Sequence, residues 1–413
     1  MSERPGTDPR GSLESVTVVG GGMAGFTVVR ELRSRGFEGT LVLVDPAGIP
    51  YDRPPLSKDY LVGSRSAQDI EFAPAGWFGE HRIDVVPGRA VDLDPDAGTV
   101  TLADGRKITS DRVVLATGGT ARRLPVPGGD LDSVWELRTR SDADRLRAAL
   151  RPGVRLAIIG AGLIGAEAAS SALLLGASVV LIDPVDPPLV PAVGTELARR
   201  LHDMHSERGI TGVTGLPTAI RRAGSGHQVV MADDGSVDAE VVLVGVGIEP
   251  DTALAEKAGL ARDNGILVDE SQRTAHPKVY AVGDASRTRQ PDGTLLRRAE
   301  HWENARNTGT TAAAALLDQE LPRHGAGWFW SDRHGVHVEG VGSMVGDGTM
   351  IVREKDGHPW VVFHLDADGY LAGCAAVDGG LAVRAARRII DRRIRVDPER
   401  LANPAVDLRK LAR

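Results

Sequence analysis

One cysteine in 413 residues, Cys374, removes whole classes of chemistry. A single thiol makes no internal disulfide relay and holds no iron–sulfur cluster. Its setting, YLAGCAAVDGG, is apolar and strand-like, which suits a buried, inert thiol. No apolar run approaches the roughly 18 residues that a membrane helix needs. The opening MSERPGTDPRGSLES is polar and carries Pro and Gly; it reads as a short disordered lead-in, neither signal nor transit peptide. The cytoplasm is the expected compartment. Basic charge is also in short supply. Lys and Arg total 49 against 56 Asp and Glu, a net charge of −7, which argues against general nucleic-acid binding while leaving room for a local basic patch. What remains is a globular composition, 42% hydrophobic and 25% charged, in a chain long enough for two or three domains.

Glycine is plentiful, and its placement repeats. VTVVGGGMAGFTVVRELRSRG begins at Val16 and LAIIGAGLIGAEAASSALLLG at Leu156. Each is an apolar strand, a G-x-G-x-x-G turn and a helix ending at glycine. Each is followed by a β-branched run, TLVLVDP or ASVVLIDP, that ends in an acid: Asp45 and Asp183, 25 and 23 residues beyond Gly20 and Gly160. Gly20 and Gly160 permit the tight turn, and Gly22 and Gly162 let the backbone approach a pyrophosphate. Gly25 and Gly165 let the helix sit close on the strand. The helix N-terminus offers free N–H groups to phosphate, and the acid accepts bonds from an adenosine ribose. One such motif is weak evidence. Two in full strand–turn–helix–strand–acid context, 140 residues apart, predict two dinucleotide sites.

Further apolar strands run into small-residue turns at DRVVLATGG (111–119) and KVYAVGDAS (278–286). From about residue 322 the pattern changes. WFWSDRHGVHVEGVGS and WVVFHLDADGYLAGCAAV alternate as antiparallel strands and lead into a helix, GLAVRAARRIIDRR. The expected organisation is α/β: two Rossmann-like dinucleotide-binding domains, split as 1–121 with 248–323 and as 122–247, followed by an α+β domain over 324–413. PYDRPPLSKDYL (50–61) is a stiff arch. Pro54 is expected to hold Arg53 extended, and Ser57 is a candidate helix N-cap. The arch delivers Lys58 to a fixed place, although these residues alone leave a solvated surface lysine open. HDMH (202–205) and HGVH (334–337) have metal-like spacing but lack an evident third ligand, so a structural or solvated role is expected. Arg384, Arg388, Arg392 and Arg395 recur at near-helical spacing and form a basic face that could either steer an acidic partner or simply be solvated.

PYDRPPLSK (50–58), LATGG (115–119), LRTRSDA (137–143), GAGLIGAE (160–167), NGILVDE (264–270), YAVGD (280–284), EHWENA (300–305), WFWSD (328–332) and LANPAVDLRKL (401–411) together resemble one family over nearly the whole chain. It is the two-dinucleotide-domain flavoprotein family, with glutathione-reductase-like FAD and NAD domains. Within it the chain is similar to the reductases that feed [2Fe–2S] ferredoxins serving cytochromes P450 or ring-hydroxylating dioxygenases.

The resemblance implies FAD at the first fingerprint, with Ala24 in the pyrophosphate loop, Asp45 at the ribose and Val91 beside the adenine. Arg53 and Arg138 would contact the cofactor, Asp284 the ribityl chain, and Trp302 the isoalloxazine. Thr117 and Gly118 belong to the same set; Ile164 and Gly247 complete the cofactor-binding residues. Lys58 would point at the flavin N5 edge and pair with Glu167. NADH is favoured over NADPH, since Asp183 would repel a 2′-phosphate and the following PVDPP offers no arginine. Thr308, where the family usually has glutamine, and Arg333-His334, where Gln-Tyr is common, are departures. The implied reaction passes electrons from NADH through FAD, one at a time, to a [2Fe–2S] ferredoxin, in a monomer or weak homodimer. Rubredoxin reductase, monodehydroascorbate reductase and a redox-gated binding protein resembling apoptosis-inducing factor remain alternatives.

Overall fold

A computed structural model describes residues 13–412. The described chain forms two compact units. The first comprises residues up to Asp52, Glu71–Gly119 and Pro250–Arg323; the second comprises Arg53–Ile70, Thr120–Glu249 and His324 onward.

The first unit is built on a five-stranded parallel sheet. Its strand order is Val279–Ala281, Arg112–Leu115, Ser15–Val19, Thr40–Asp45, Ile83–Pro87. These strands are runs of Val, Ile and Leu because a parallel sheet is covered on both faces. On one face Val16, Val18, Leu41 and Leu43 pack with Val28 and Leu32 of the helix Met23–Ser34, and with Ala312 and Ala313 of the helix Trp302–Leu316. The other face packs Val42, Val44, Val113 and Leu115 against Leu93, Val100 and Leu102 of a three-stranded antiparallel sheet.

The second unit repeats that layout. Its parallel sheet runs Thr211–Thr214, Ser178–Asp183, Arg155–Ile159, Val241–Val244, Val134–Trp135, with the helix Leu163–Leu174 following the second fingerprint. The same unit holds a five-stranded antiparallel sheet, ordered Trp328–Arg333, Val336–Gly342, Leu371–Val377, His358–Asp366, Gly348–Lys355. Residues of successive parity on His358–Asp366 face opposite ways, and both faces are covered. Val361, Phe363 and Leu365 pack with Ala382, Val383, Ala386 and Ile389 of the helix Gly380–Asp391. Val362, with Ala375 and Val377, packs with Leu197, Ala198 and Leu201 of the helix Thr195–Ser206. Cys374 is fully buried in this sheet, and burial pushes its thiol well above the ordinary range.

Candidate cofactor and redox site

In the first unit the fingerprint turn is set by contacts that only glycine allows. Gly20 sits at φ +110, and a Cβ there would fall 2.2 Å from Ala116 O; one on Gly25 would fall 1.9 Å from Gly20 O. The helix that follows has Gly22 as N-cap, no side-chain cap and no acid in its first turn. Its leading N–H groups are therefore met by no side chain of the cap and by no competing carboxylate, which fits a pyrophosphate. Asp45 Oδ2 accepts from Gly21 N at 2.6 Å, and Oδ1 from Ala47 N at 2.7 Å. The acid thus stands at the rim of the turn. Ala24 abuts the Gly283-Asp284 turn, where a Cβ on Gly283 would lie 2.8 Å from the Ala24 Cβ. Asp284 O accepts from Arg298 Nη1 at 3.0 Å. Thr308 Oγ1 accepts from Gly283 N at 2.9 Å and donates to Asn304 O at 2.8 Å. The unusual threonine therefore holds the same turn. Thr117 Oγ1 donates to Asp251 O at 2.6 Å, while Gly118 O accepts from Asp251 N at 2.9 Å. Trp302 opens its helix and donates from Nε1 to Asp52 Oδ1 at 3.0 Å. Val91 O accepts from Lys257 Nζ at 2.8 Å.

The second unit carries the matching turn. Gly160 sits at φ +103, and Gly165 would place a Cβ 1.9 Å from Gly160 O. Gly162 and Gly247 (φ +101) have open space where a Cβ would stand, and Gly162 caps its helix without side-chain help. Ile164, 45% exposed, presents an apolar surface next to that cap. Asp183 Oδ2 accepts from Ala161 N at 2.8 Å, and Oδ1 from Val185 N at 2.9 Å.

The arch corrects two local expectations. Arg53 is not extended. At φ −89, ψ −34 it is the N-cap of a 3-10 turn, Pro54–Ser57, closed by Leu56 N donating to Arg53 O at 2.9 Å. Its Nη1 reaches Arg138 O at 3.4 Å, so the two predicted arginines are neighbours. Ser57 is not a cap either. The short helix Asp59–Val62 begins from Lys58 with no side-chain cap, and Ser57 Oγ instead donates to Glu167 Oε2 at 2.5 Å.

Lys58 meets two carboxylates, one of which the sequence reading did not include. Nζ lies 3.2 Å from Glu167 Oε1 and 2.6 Å from Asp332 Oδ2; the ammonium also sits 5.5 Å from the Trp330 ring centroid. Glu167 is buried, and its Oε1 accepts from Ser331 Oγ at 2.6 Å and Asp332 N at 3.3 Å. Burial works to raise the Asp332 carboxyl; bonds from Lys58 and His337 outweigh it and hold it below the usual range. Arg333, the other departure, is buried. Burial pulls its guanidinium down to about 10, against Glu167 and Asp332, and Nη2 donates to Ser331 Oγ at 2.9 Å.

The two histidine motifs also meet, His334 Nε2 lying 2.8 Å from His205 Nδ1. Burial first, then Arg333 and its own partner imidazole, lower His205 to about 2; burial, then Arg208 and Arg333, lower His334 to about 4. The pair is neutral at pH 7. Among the described residues no group of three or more His, Cys, Asp or Glu is placed to hold a metal ion.

Comparison with known proteins agrees over nearly the whole chain. Residues 14–309 match the pyridine nucleotide-disulphide oxidoreductase family, and residues 328–412 match the reductase C-terminal family. The chain is 36% identical over 405 residues to the anthranilate 1,2-dioxygenase system ferredoxin–NAD(+) reductase component of Burkholderia cepacia, covering 96% of this chain and 99% of that one. It is similar in structure to a ferredoxin reductase from Rhodopseudomonas palustris, with TM-score 0.91, 31% identity, and 97% and 100% of the two chains covered. It also matches the reductase of a covalent putidaredoxin reductase–putidaredoxin complex, with TM-score 0.90, 31% identity, and 96% and 98% covered. With two Rossmann turns and a single, buried cysteine, this chain belongs to the pyridine nucleotide-disulphide oxidoreductase family and, within it, to the ferredoxin–NAD(+) reductases.

Proposed function

We infer that the protein is an FAD-dependent NADH:ferredoxin oxidoreductase delivering electrons to a [2Fe–2S] ferredoxin that serves an oxygenase. The observation that carries this reading is likeness to ferredoxin reductases from end to end, carboxy-terminal region included, in a chain whose only thiol is sealed in a sheet. Bound FAD supplies a ring that takes a hydride and gives up electrons singly. The first fingerprint, Asp45, the Thr117-Gly118 turn, Asp284 and Trp302 are assigned to hold it, with Arg53, Arg138 and Val91 as further contacts. Gly160, Gly162, Ile164, Gly165, Asp183 and Gly247 are assigned to NADH. Asp183 suits a free 2′-hydroxyl and opposes a 2′-phosphate.

Lys58 is assigned as the cation beside the flavin. Its task is electrostatic: a fixed ammonium favours the electron-rich ring, and Glu167 fixes the ammonium. The exposed Arg384, Arg388, Arg392 and Arg395 are assigned to steering an acidic ferredoxin. Arg392 Nη1 and Arg395 Nη2 donate to Ala412 O and Asp368 O, each at 3.1 Å, which holds those two charges in place. No helix of the described residues is long and apolar enough to cross a membrane. The cytoplasm, where NADH is made, is the assigned compartment, and a monomer or weak homodimer the assigned state.

The test is cytochrome c reduction by NADH with and without a [2Fe–2S] ferredoxin, repeated with NADPH. The expected result is at least about tenfold stimulation by ferredoxin and at least about tenfold preference for NADH, each tenfold being 1.4 kcal/mol. NADH-dependent flavin bleaching without ferredoxin stimulation would move the acceptor to rubredoxin, ascorbate radical or a binding partner.

A further inference from the structure

We propose that His337 is a positioning residue of Lys58, acting through Asp332. The inference rests on the reading of Lys58 as the cation beside the flavin, and deepens it. Asp332 and His337 lie directly opposite one another across the antiparallel strands Trp328–Arg333 and Val336–Gly342. A two-residue loop joins those strands, with His334 at φ +51 and Gly335 at φ +78. Two positive φ values are the signature of the turn that matches strand twist, so the hairpin itself sets the register of the pair. Asp332 Oδ2 takes Lys58 at 2.6 Å, and Oδ1 takes His337 Nδ1 at 2.5 Å. One carboxylate is therefore divided between an ammonium and an imidazole.

The charge beside Lys58 depends on His337. Lys58 touches the carboxylates of Glu167 and Asp332, and Arg333 reaches Glu167 through Ser331. Protonation of His337 adds one positive charge next to Asp332, which then gives up part of its hold on Lys58. Histidine is the side chain whose ordinary charge change falls between pH 5 and 8. Position selects His337 for the role. Side-chain exposure rises from 4% at Glu167 and 13% at Lys58 to 43% at both Asp332 and His337, so only the outer end exchanges protons readily with water. The other charged groups facing the imidazole are Glu339, whose Oε2 lies 4.0 Å from Nε2, and Asp378, whose Oδ1 accepts from the His337 backbone N–H at 2.8 Å. Glu339 is buried and held by Trp328 Nε1 at 3.1 Å. The rival account is a cross-strand pair that only steadies the hairpin.

The measurement is a spectroelectrochemical titration of the FAD-loaded protein from pH 5 to 9, for the natural chain, H337Q and H337K. In parallel, the His337 imidazole is followed by NMR in the natural chain and in D332N. In the natural chain, midpoint potential against pH is expected to break where His337 titrates. H337Q removes the break and follows the alkaline limb; H337K removes it and follows the acid limb. A hairpin role alone would leave the three curves superimposed, and that result overturns the proposal. So does an unchanged His337 midpoint in D332N, where loss of the carboxylate is expected to move it down. Failure of NADH to reduce the flavin in the natural chain would instead overturn the reductase reading.

Discussion

The two fingerprint turns match closely, and the helices that leave them do not. At Gly20 and Gly160 the backbone takes φ +110 and +103, and at Gly25 and Gly165 an added Cβ would fall 1.9 Å from the carbonyl of the first glycine. Asp45 and Asp183 each tie one oxygen to the turn and the other to an N–H two residues on. The likeness ends within the first two turns of helix. Thr27 and Glu167 stand at equivalent places, both buried. Thr27 Oγ1 goes to Met23 Sδ at 3.4 Å, within its own helix. Glu167 leaves its helix for Ser57, Lys58 and Ser331. The exposed Arg30 has Ser170 as its counterpart, whose Oγ accepts from His334 N at 2.8 Å. Glu31, paired with Arg35 at 3.3 Å, has Ser171, which donates to Ser57 O at 2.7 Å. The turn answers to phosphate, which asks the same of both sites. The helix answers to whatever packs on it, and at these three places only the second bonds to polar groups beyond its own helix and cap.

The sharpest way to separate the two turns is to spoil each alone. G25V and G165V both force a side chain into a carbonyl oxygen that cannot retreat without opening the turn. G25V is expected to cut flavin content at least about tenfold, an effect of 1.4 kcal/mol or more. G165V is expected to keep its flavin while its reduction by NADH slows by about a hundredfold or more. Absorbance of the purified protein and a stopped-flow NADH titration read both. If G165V loses flavin as readily as G25V, the division of labour between the turns is wrong.

The next largest contrast lies at the paired helix positions. E167Q leaves Lys58 with Asp332 alone and weakens the bonds that Ser57 and Ser331 make to a buried charge, an expected cost of about 1.5–3 kcal/mol. T27V removes only a weak bond to sulfur and is expected to cost under about 1 kcal/mol. Local opening free energies from hydrogen exchange of Leu163–Leu174 and Met23–Ser34 measure the two. E167Q is also expected to slow flavin reduction by about tenfold or more, because Lys58, the cation assigned to the flavin, loses the carboxylate that fixes it.

Much of this was legible before any coordinates. Each fingerprint carries its own explanation in the spacing of its glycines, its strand and its acid, all within about 30 residues. The runs Leu371–Val377 and His358–Asp366 were likewise legible as antiparallel strands, although cover on both faces leaves them almost continuously buried. The Lys58–Glu167 pair came from resemblance and not from spacing, since 109 residues separate the partners. Asp332 stands out in WFWSD by nothing local, since no nearby signal says that a strand 274 residues on will place it against the arch. The meeting of HDMH with HGVH was hidden in the same way. Ser57 shows how tertiary structure overrules a sound local rule. An N-cap is worth about 1 kcal/mol, whereas a hydrogen bond to a charged, buried group is worth about 1.5–3 kcal/mol, and the hydroxyl goes to Glu167. Arg53 yields likewise: it caps a 3-10 turn at φ −89, ψ −34, where the rule for a residue before proline favours an extended backbone.

The smallest expected effect concerns acid, and it again divides the regions. His205 and His334 are neutral in the fold, with values of about 2 and about 4 against an ordinary 6.5. Because these values are depressed, the opened chain binds protons that the fold refuses once pH drops below 6.5. Stability is therefore lost from 6.5 downward, and the loss continues until the folded values are reached. The slope for one such group is about 1.4 kcal/mol per pH unit, so the almost fully buried His205 is worth at most about 2 kcal/mol between pH 6.5 and 5. Asp332 does not add to this window. Its carboxyl is depressed below an ordinary 3.8, so its contribution survives until pH falls below about 4. His205 lies on Thr195–Ser206, and that helix is expected to open more easily at pH 5 than at pH 7 by hydrogen exchange corrected for intrinsic rates. Met23–Ser34 contains no histidine and is expected to change far less. In H205Q the helix loses the histidine that the fold holds neutral, while His202 stays, and its pH dependence should shrink toward that of the first fingerprint helix. If Thr195–Ser206 instead keeps its full acid sensitivity when H205Q is combined with H334Q, the refusal of protons lies elsewhere in the second unit, and the imidazole pair is merely packed there.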